Sequence, residues 1–385
     1  MDAYKYVKYK EKYLRLKLVD QIGGSLLENR IKKYYEFNTR LSYLSNTKLL
    51  KKISKNLQIG NYGNTSTFSL DGEKFFCKQI KMTNLEYQNM FDSGNLFDLP
   101  TYYNYAIGSA GINCFRELLA HIKTTNWVLS RQIENFPLMY HYRFMQTNNH
   151  VIENNKNNEN NDMNEKISNE IKKWDSNAVG AYVKARSQTQ YSIVIILEHI
   201  PYNLIEWLDD YPRTDLYLEQ IIKIVNFLHQ NNIIHFDAHL GNILTDGKII
   251  YLTDFGTVYD AKFKINENEK NFYSMNSFYD YGMVISNIFQ YMQKILQKNI
   301  DKISYLYQSN TIDSLFKYIT VIYYNLDDIE NKVDIDERYL NMLKKYRKII
   351  MMHMGFIYEL INDPRKAVIY PNKKIEQQLL KLKII

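Results

Sequence analysis

The segment from Ile233 to Asp260 constrains the fold of this chain more than any other part of the sequence. It spells IIHFDAHLGNILTDGKIIYLTDFGTVYD, in which two short apolar runs flank the dipeptide Asp246-Gly247. An Asp-Gly pair between apolar runs is the strongest short-range signal for a β-hairpin. We therefore expect the residues just before the first strand to lie beside the residues just after the second.

The open end of this hairpin brings together two aspartates and an asparagine. Asn242 precedes the first apolar run, Asp254 follows the second, and Asp237 lies five residues upstream of Asn242. Mg²⁺ prefers hard oxygen ligands and keeps several waters, so one carboxylate, one amide oxygen and nucleotide phosphates suffice to hold it. Asn242 and Asp254 are therefore candidate metal ligands, which leaves Asp237 to accept the proton of an attacking hydroxyl. The alternative is a solvated turn whose acids share no function.

This segment resembles the catalytic centre of protein kinases. The stretch from His235 to Asn242, HFDAHLGN, is similar to the kinase catalytic loop, and Asp254-Phe255-Gly256 is similar to the metal-binding Asp-Phe-Gly motif. The resemblance implies a bilobal α+β kinase-like fold with a small β-rich N-lobe and a larger helical C-lobe. It also implies that Asp237 is the catalytic base, that Asn242 and Asp254 bind Mg²⁺, and that ATP is the phosphoryl donor.

Asp280 precedes a predicted apolar helix, Met283 to Tyr291. By the same resemblance it is the buried aspartate that braces the backbone of the catalytic loop. Capping of the helix is an equally good interpretation, because aspartate is a preferred N-cap residue.

A kinase also needs a lysine on a strand and a carboxylate that orients it. Lys78 lies among apolar residues on the outgoing strand of a second predicted hairpin, which turns at Asp71-Gly72. An isolated ammonium is costly to bury in such a strand unless it is paired. Glu117, on a predicted helix, is the expected partner, and Glu86 is a rival.

The sequence distance from Lys78 to Glu117 is 39 residues, which is longer than kinases resembling this chain use. An insertion is therefore expected within residues 81–111.

The nucleotide-covering loop is the least distinctive element of the resemblance. Gly60, Gly63 and Ser66 precede or begin the first strand, where their backbone N–H groups can approach phosphate. Period-two alternation places Phe76 on the same face as Lys78, where related kinases carry a small residue above adenine.

A buried strand, Ser192 to Leu197, resembles the one that leads into the kinase hinge, and Ile200 is the residue expected to hydrogen-bond adenine. Two departures from the protein-kinase pattern bear on the substrate. Phe236 stands at the position of an arginine that, in many protein kinases, responds to phosphorylation of the activation loop. His239 stands where they carry a lysine beside the transferred phosphate, as in aminoglycoside- and choline-kinase-like families.

The acceptor therefore has two interpretations. Protein serine or threonine hydroxyls are favoured, and a small-molecule hydroxyl is the alternative, because no Ala-Pro-Glu-like motif lies between Asp254 and Asp280 to shape a peptide groove. A kinase-like scaffold with weak or no catalysis is a further alternative.

The net charge of +7 is concentrated at the N-terminus, where residues 1–17 carry six Lys or Arg and two acids. A helical pattern there places tyrosines on one face, so we expect a helix that packs on this chain or a neighbour. Docking on a protein partner or an anionic surface is the alternative, and DNA binding is not expected.

The segment from Tyr4 to Leu14, followed by Gly23-Gly24, resembles a leader found on proteins of giant DNA viruses, especially the mimivirus group. The resemblance implies that the chain is similar to serine/threonine protein kinases of those viruses.

The remaining composition sets the organisation of the chain. At 385 residues and 45% hydrophobic content it is long enough for two lobes. We expect an N-terminal extension at 1–45, an N-lobe at 46–200 and a C-lobe at 201–385. An Asn-rich insertion at 146–170 interrupts the N-lobe, and Asn148 to Asn164 is expected to lack regular structure.

The sequence also bears on the cellular compartment. No run reaches the ~20 apolar residues of a membrane span, and the N-terminus lacks the apolar core of a signal peptide. Two cysteines without zinc-site spacing favour a reducing compartment. The sequence thus predicts a soluble intracellular protein, located in a host cytoplasm or a virion if it is viral.

Overall fold

The structure, a computed structural model, describes residues 26–60, 63–105, 107–146, 156–210, 214–303 and 325–385. These residues form two compact units. The sheet unit contains the described residues up to Gln79, together with His121–Met145 and Val194–His199; the helical unit contains Ile80–Ala120, the described part of 146–193, and the described residues from Ile200 onward. The predicted N-terminal helix and the leader lie outside the described residues.

The secondary structure is mixed α and β. The strands are β1 (Gln58–Ile59), β2 (Gly63–Leu70), β3 (Glu73–Met82), β4 (Met139–Gln146), β5 (Tyr191–Glu198), β6 (Tyr202–Asn203), β7 (Ile233–Ile234), β8 (Ile243–Thr245), β9 (Ile250–Leu252) and β10 (Tyr259–Asp260). The helices are α1 (26–42), α2 (Asn46–Ile53), α3 (Asn84–Gln88), α4 (Cys114–Leu129), α5 (Lys156–Trp174), α6 (Asn177–Gln188), α7 (Leu204–Asp210), α8 (Thr214–Gln230), α9 (Glu267–Asn276), α10 (Tyr279–Lys298), α11 (Ile300–Ile303), α12 (325–330), α13 (Glu337–Asn362) and α14 (Asn372–Lys381). The predicted α+β class, with a β-rich part followed by a helical part, is confirmed.

The described strands of the N-terminal region form a five-stranded antiparallel sheet in the order β1-β2-β3-β5-β4. The predicted hairpin of β2 and β3 is confirmed, and its turn has φ 51° at Asp71 and 85° at Gly72. Positive φ at both central residues is the geometry of a type I′ turn, which matches the twist of the strands. Phe68 and Phe75 stack across this hairpin at 5.4 Å between ring centroids, within the core of the sheet unit.

A buried ion pair fixes the end of β5 within the sheet unit. Arg30 on α1 binds Glu198 through two hydrogen bonds, Nε to Oε1 at 2.9 Å and Nη2 to Oε2 at 2.8 Å. The same guanidinium donates to the carbonyl oxygens of Glu134 and Phe136. Paired hydrogen bonds between a guanidinium and a carboxylate are among the strongest in proteins, so the end of the predicted hinge strand is held firmly.

The helical unit is built around α8, α10 and α13, which pack on one another. The apolar residues Leu218, Ile221, Val225 and Leu228 recur at helical spacing along α8 and are buried. Within the described residues, no helix has the length and apolar character needed to cross a membrane.

The hairpin predicted around Asp246-Gly247 is confirmed as β8 and β9. Thr245 pairs with Ile250, so residues 246–249 form a four-residue loop and the second strand begins two residues later than predicted. Asp246 closes this loop because its Oδ1 accepts hydrogen bonds from the backbone N–H groups of Lys248 and Ile249.

The prediction that Asn148 to Asn164 lacks regular structure is wrong from Lys156 onward, where α5 begins. The C-terminal turns of α5 carry Ile167 and Ile171 four residues apart, next to α6, and Trp174 is fully buried. Once packing fixes these turns, each further residue adds one backbone hydrogen bond, and the helix extends into the Asn-rich sequence. Residues 147–155 lie outside the described ones.

Replacing either of two helical glycines by alanine is expected to change stability, in opposite directions. A Cβ built on Gly282 of α10 would overlap the Tyr370 hydroxyl and lie 2.6 Å from His353 Nδ1, whereas a Cβ on Gly355 of α13 meets no atom within 4 Å. We expect Gly282→Ala to lower the free energy of unfolding by about 1–3 kcal/mol through overpacking. Gly355→Ala should raise it by up to about 1 kcal/mol, because alanine favours the helix. Urea unfolding of both variants measures this, and equal effects would contradict the packing around Gly282.

Candidate active site

A buried carboxylate holds the candidate catalytic loop, all of which belongs to the helical unit. Asp280 Oδ2 accepts a hydrogen bond from His235 N at 2.7 Å, and its Oδ1 accepts one from Phe236 N at 2.9 Å. The residue is 4% exposed, and hydrogen bonds to an ionised acceptor are roughly twice as strong as neutral ones. Both oxygens of Asp280 serve the loop, so the predicted brace is confirmed over the role of a helix cap.

The brace acts where the backbone is strained. Phe236 has φ 64°, which is rare for a bulky residue and costs of order 1–3 kcal/mol. Its fully buried ring lies 5.0 to 5.8 Å from those of Tyr279, Phe272 and Tyr105. Packing and the Asp280 hydrogen bond therefore fix the direction in which the chain enters Asp237. The apolar ring of Phe236 offers neither a charge nor a hydrogen-bond donor to a phosphate group.

His235 joins the loop to the strand that leads to Asp254. Its Nδ1 accepts a hydrogen bond from the Asp237 backbone N–H at 3.2 Å, so Nε2 carries the proton and donates to the Thr253 carbonyl at 3.1 Å. The imidazole is completely buried. The neutral tautomer thereby ties the backbone of Asp237 to the residue that precedes Asp254.

Asn242 is oriented by Asp237. Its Nδ2 donates to the Asp237 carbonyl and to Asp237 Oδ2, both at 2.9 Å. Because both of these oxygens can only accept, the amide nitrogen must face Asp237 and the amide oxygen must face away. The Asn242 amide oxygen therefore faces away from Asp237, and the two side chains are held together by the hydrogen bond.

His239 approaches the other oxygen of Asp237. Its Nδ1 accepts a hydrogen bond from Gly241 N at 3.0 Å, so the proton lies on Nε2, which is 3.4 Å from Asp237 Oδ1. Burial lowers the pKa of His239, and the nearby Asp254 carboxylate opposes that shift. The shift favours the neutral form, in which the Nε2–H lies next to Asp237 Oδ1.

Asp254 lies at a second strained position, with φ 62°. Its Oδ1 accepts a hydrogen bond from Gly256 N at 3.3 Å. A Cβ built on Gly256 would lie 3.3 Å from Asp254 Oδ1 and 3.7 Å from Glu117 Oε2. The carboxylates of Asp254 and Glu117 thus border the same glycine.

Asn242 and Asp254 suit Mg²⁺ better than they suit a metal ion that is coordinated only by protein side chains. Within the described part of the chain, no cluster of three or more His, Cys, Asp or Glu side chains forms a metal cage. The Asn242 amide oxygen and the Asp254 carboxylate are hard donors of the kind that Mg²⁺ takes, with waters and phosphate oxygens completing its octahedron.

Glu86 is occupied by other groups. Its Oε2 accepts from Thr83 N at 2.7 Å in the capping box of α3, and its Oε1 accepts from Cys114 N at 2.9 Å at the start of α4. The Tyr182 hydroxyl lies 3.4 Å from the same Oε1. Glu86 therefore caps two helices of the helical unit, which weakens it as the rival of Glu117.

Of the remaining predicted residues, Gly60, Gly63, Ser66 and Lys78 belong to the sheet unit and Ile200 belongs to the helical unit. Gly60 N donates to Gly63 O at 3.1 Å, and a Cβ on Gly60 would lie 2.5 Å from that oxygen, so position 60 requires glycine. Ser66 is 4% exposed and its side chain lies beside Cys77 on the core face of β2, leaving its backbone as the part suited to phosphate. Lys78 is half-buried on the other face of β3.

Lys78 shares its face of β3 with Phe76, as the alternation predicts, and Phe76 is also half-buried. Ile200 follows the end of β5 by two residues and is half-buried.

Asn287 is a residue of the site that sequence reasoning missed. Its Nδ2 donates to the Ala238 carbonyl at 2.9 Å and to the Tyr217 hydroxyl at 3.0 Å, and it is 2% exposed. The signal was available, because a buried amide on the apolar face of α10 must find a partner.

Comparison with known proteins gives short matches to kinases. No protein-family profile matches the chain. The chain is 50% identical over 44 residues to a protein described as probable serine/threonine-protein kinase PLK of Dictyostelium discoideum, a match of 11% of this chain and 4% of that protein. It is 39% identical over 77 residues to serine/threonine-protein kinase PKH2 of Saccharomyces cerevisiae, a match of 18% of this chain and 7% of that protein. These short stretches support a relationship to protein kinases.

The raised pKa of the Asp280 carboxyl predicts how the free energy of unfolding depends on pH. Burial raises its pKa to about 6, against an ordinary value of 3.8, although two backbone N–H groups oppose the shift. Between these values the folded protein binds more protons than the unfolded chain, so this contribution to stability is present below pH 4 and is lost as pH rises through 6. On acidification from pH 7 to pH 4 we expect the wild type to gain about 1–3 kcal/mol over Asp280→Asn. Urea unfolding across this range measures it, and a constant difference would contradict the raised pKa.

Proposed function

We propose that this chain is an ATP- and Mg²⁺-dependent phosphotransferase that transfers the γ-phosphoryl group of ATP to a serine or threonine hydroxyl of a protein. The observation that carries the proposal is the arrangement of Asp237 and Asn242, in which two hydrogen bonds turn the amide oxygen outward and hold the carboxylate beside it. The kinase matches support the same chemistry.

Asp237 is the proposed base. The hydroxyl of the acceptor donates its proton to the Asp237 carboxylate as its oxygen bonds to the γ-phosphorus, and the bond from that phosphorus to the bridging oxygen breaks to release ADP. One carboxylate oxygen accepts a hydrogen bond from Asn242 and the other faces His239 Nε2, so the group is oriented before substrate arrives. His239 is proposed to position Asp237, since it offers a neutral donor rather than a second cation.

Asn242 and Asp254 are the proposed Mg²⁺ ligands. Mg²⁺, when bound, neutralises charge on the phosphate oxygens. The protein contributes rigid placement: Asp237 orients the Asn242 amide, and the Gly256 N–H orients the Asp254 carboxylate. The transition state is loose, so positioning and electrostatic stabilisation account for most of the catalysis.

The other roles remain those that the kinase resemblance implies. Lys78 is proposed to hold phosphate and Glu117 to orient it. The backbone at Gly60, Gly63 and Ser66 is proposed to cover the phosphates, and Ile200 is proposed to bind the adenine edge.

A small-molecule hydroxyl is the second candidate acceptor. His239 favours it, because a histidine at this position resembles small-molecule kinases of the aminoglycoside and choline type. A scaffold that binds ATP without turnover is the third possibility, and the intact set of Asp237, Asn242 and Asp254 argues against it.

The basic segment at residues 1–17 is proposed to pack on this chain or a neighbour, and docking on a protein partner or an anionic surface is the alternative. A viral origin, with the protein in a host cytoplasm or a virion, rests on the leader resemblance and is part of the same proposal.

Turnover of γ-phosphate-labelled ATP tests the proposed function. We expect the wild type with Mg²⁺ to label a basic protein acceptor, and both Asp237→Asn and Asp254→Ala to lower kcat by at least about hundredfold, since each removes a group used in the transition state. Glu359→Gln, an exposed carboxylate on α13, serves as the control and should retain full activity.

Assaying protein and small-molecule acceptors in parallel separates the candidate functions. Label on small hydroxyl metabolites but not on protein would move the function to the small-molecule class. Folded wild-type protein that binds ATP without transferring label would refute the proposal.

A second prediction concerns β3, where two lysines share one face of the strand. Lys78 is half-buried and Lys74 is exposed. We expect Lys78→Met to lower kcat/KM for ATP by about hundredfold or more, because it removes a charged donor to phosphate. Lys74→Met should change it by less than about twofold. Steady-state kinetics at varied ATP measure both, and equal effects would show that Lys78 has no special role.

A further inference from the structure

The insertion expected between Lys78 and Glu117 is an ordered part of the helical unit. We call residues 83–113 the clamp segment; they are described except for residue 106. Asn113 Nδ2 donates to the carbonyl oxygens of Asp92 and Gly94 at 2.8 and 2.9 Å, and Arg116 Nε donates to Ser93 O at 2.8 Å. The middle of the clamp segment is thus fixed to the first turn of α4, which also carries Glu117.

The clamp segment touches the backbone that follows Asp254. Gly111 has φ 76°, and a Cβ on it would overlap the Gly256 carbonyl oxygen. Only glycine allows this approach, on grounds of both space and backbone conformation. The backbone at Gly111 therefore limits where Gly256, and with it Asp254, can move.

A buried ion pair makes a second connection. Arg116 Nη2 donates to Glu269 Oε1 at 2.7 Å, and each side chain is 1% exposed. The other oxygen of Glu269 accepts from Asn266 N and closes the capping box of α9. Arg116 thus binds α9 at its first turn, and losing one partner of such a pair is strongly destabilising.

Further contacts hold Lys264, which lies between Gly256 and Glu269 in the sequence, and Asn276, which follows Glu269. Lys264 donates from its backbone N to Ser93 Oγ at 2.9 Å and from Nζ to Asp92 Oδ2 at 2.7 Å. The Tyr105 hydroxyl donates to Asn276 Oδ1 at 2.8 Å. The clamp segment and Arg116 therefore hold residues 256–276 at points spread along their whole length.

This arrangement bears on control by phosphorylation. Tyr259 is 0% exposed and stacks on Tyr273, whereas Ser274 on α9 is exposed. The guanidinium of Arg116 is already bound to a carboxylate, and Phe236 offers no charge to a phosphate.

We propose that the clamp segment, together with Arg116, is an internal positioning element that holds residues 254–276 in the arrangement required for phosphoryl transfer, in place of a covalent modification. The proposal rests on the proposed function for its effect on turnover. Its effect on the order of residues 254–276 does not depend on activity.

Gly111→Ala tests the clamp, with Gly72→Ala as the matched control. Both glycines have positive φ, but a Cβ on Gly72 meets no atom within 4 Å. We expect Gly111→Ala to speed amide hydrogen exchange at 254–276 by at least about tenfold, with the rest of the helical unit unchanged. It should also lower kcat by about tenfold to hundredfold, since small misplacements are costly in catalysis. Uniform acceleration, or exchange like that of Gly72→Ala, would overturn the proposal.

A milder pair of variants covers the case in which Gly111→Ala does not fold. Glu269→Gln keeps the shape of the side chain and removes its charge, and Glu267→Gln does the same on the exposed face of α9, where Glu267 pairs with Lys270. We expect faster exchange at α9 and about tenfold lower kcat for Glu269→Gln, which corresponds to one charge-assisted hydrogen bond. Glu267→Gln should match the wild type, and equal behaviour of the two variants would overturn the proposal.

Phosphatase treatment of the wild type completes the test. Unchanged turnover supports the clamp, and loss of activity on dephosphorylation overturns it. If the untreated wild type transfers no phosphate, the proposed function fails, while the exchange data still decide whether the clamp orders residues 254–276.

Discussion

The two backbone hydrogen bonds that the buried Asp280 carboxylate accepts from His235 and Phe236 fix the loop from which the other candidate groups project. They act at a residue with positive φ, where the backbone would otherwise relax. Further hydrogen bonds then orient the residues that follow, because His235 accepts one from the backbone N–H of Asp237 and Asp237 accepts one from Asn242. A single buried charge on α10 thus sets the directions of a carboxylate and an amide that are proposed to act together.

The second constraint comes from the clamp segment and Arg116, which belong to the same unit. The clamp segment meets the carbonyl of Gly256, and Arg116 binds Glu269 at the start of α9. Asp254, also at positive φ, precedes Gly256 by two residues and accepts a hydrogen bond from its N–H. Both strained residues of the candidate site are therefore held by neighbouring packing and hydrogen bonds, as expected where a site is preorganised for electrostatic stabilisation.

The sequence predicted those parts of the fold that depend on neighbours along the chain. Both hairpins follow from Asp-Gly turns, whereas the brace role of Asp280 was one of two equal interpretations, and the structure decided between them. The Arg116–Glu269 pair could not be predicted, since its partners are 153 residues apart and each is ordinary in its own helix. The helical part of the Asn-rich segment was missed because its composition was given more weight than the spacing of Ile167 and Ile171. The assignments of Lys78, Glu117 and the candidate metal ligands stay predictions.

The most direct test of the account is a crystal structure with Mn²⁺ and a non-hydrolysable ATP analogue, in which anomalous scattering locates the metal. The account predicts a metal bound by Asn242 Oδ1 and an Asp254 carboxylate oxygen at about 2.1 Å, with phosphate oxygens completing the site. The Asn242 amide nitrogen should keep its hydrogen bonds to Asp237. A metal bound elsewhere, or an Asn242 amide turned so that its oxygen faces Asp237, would contradict it.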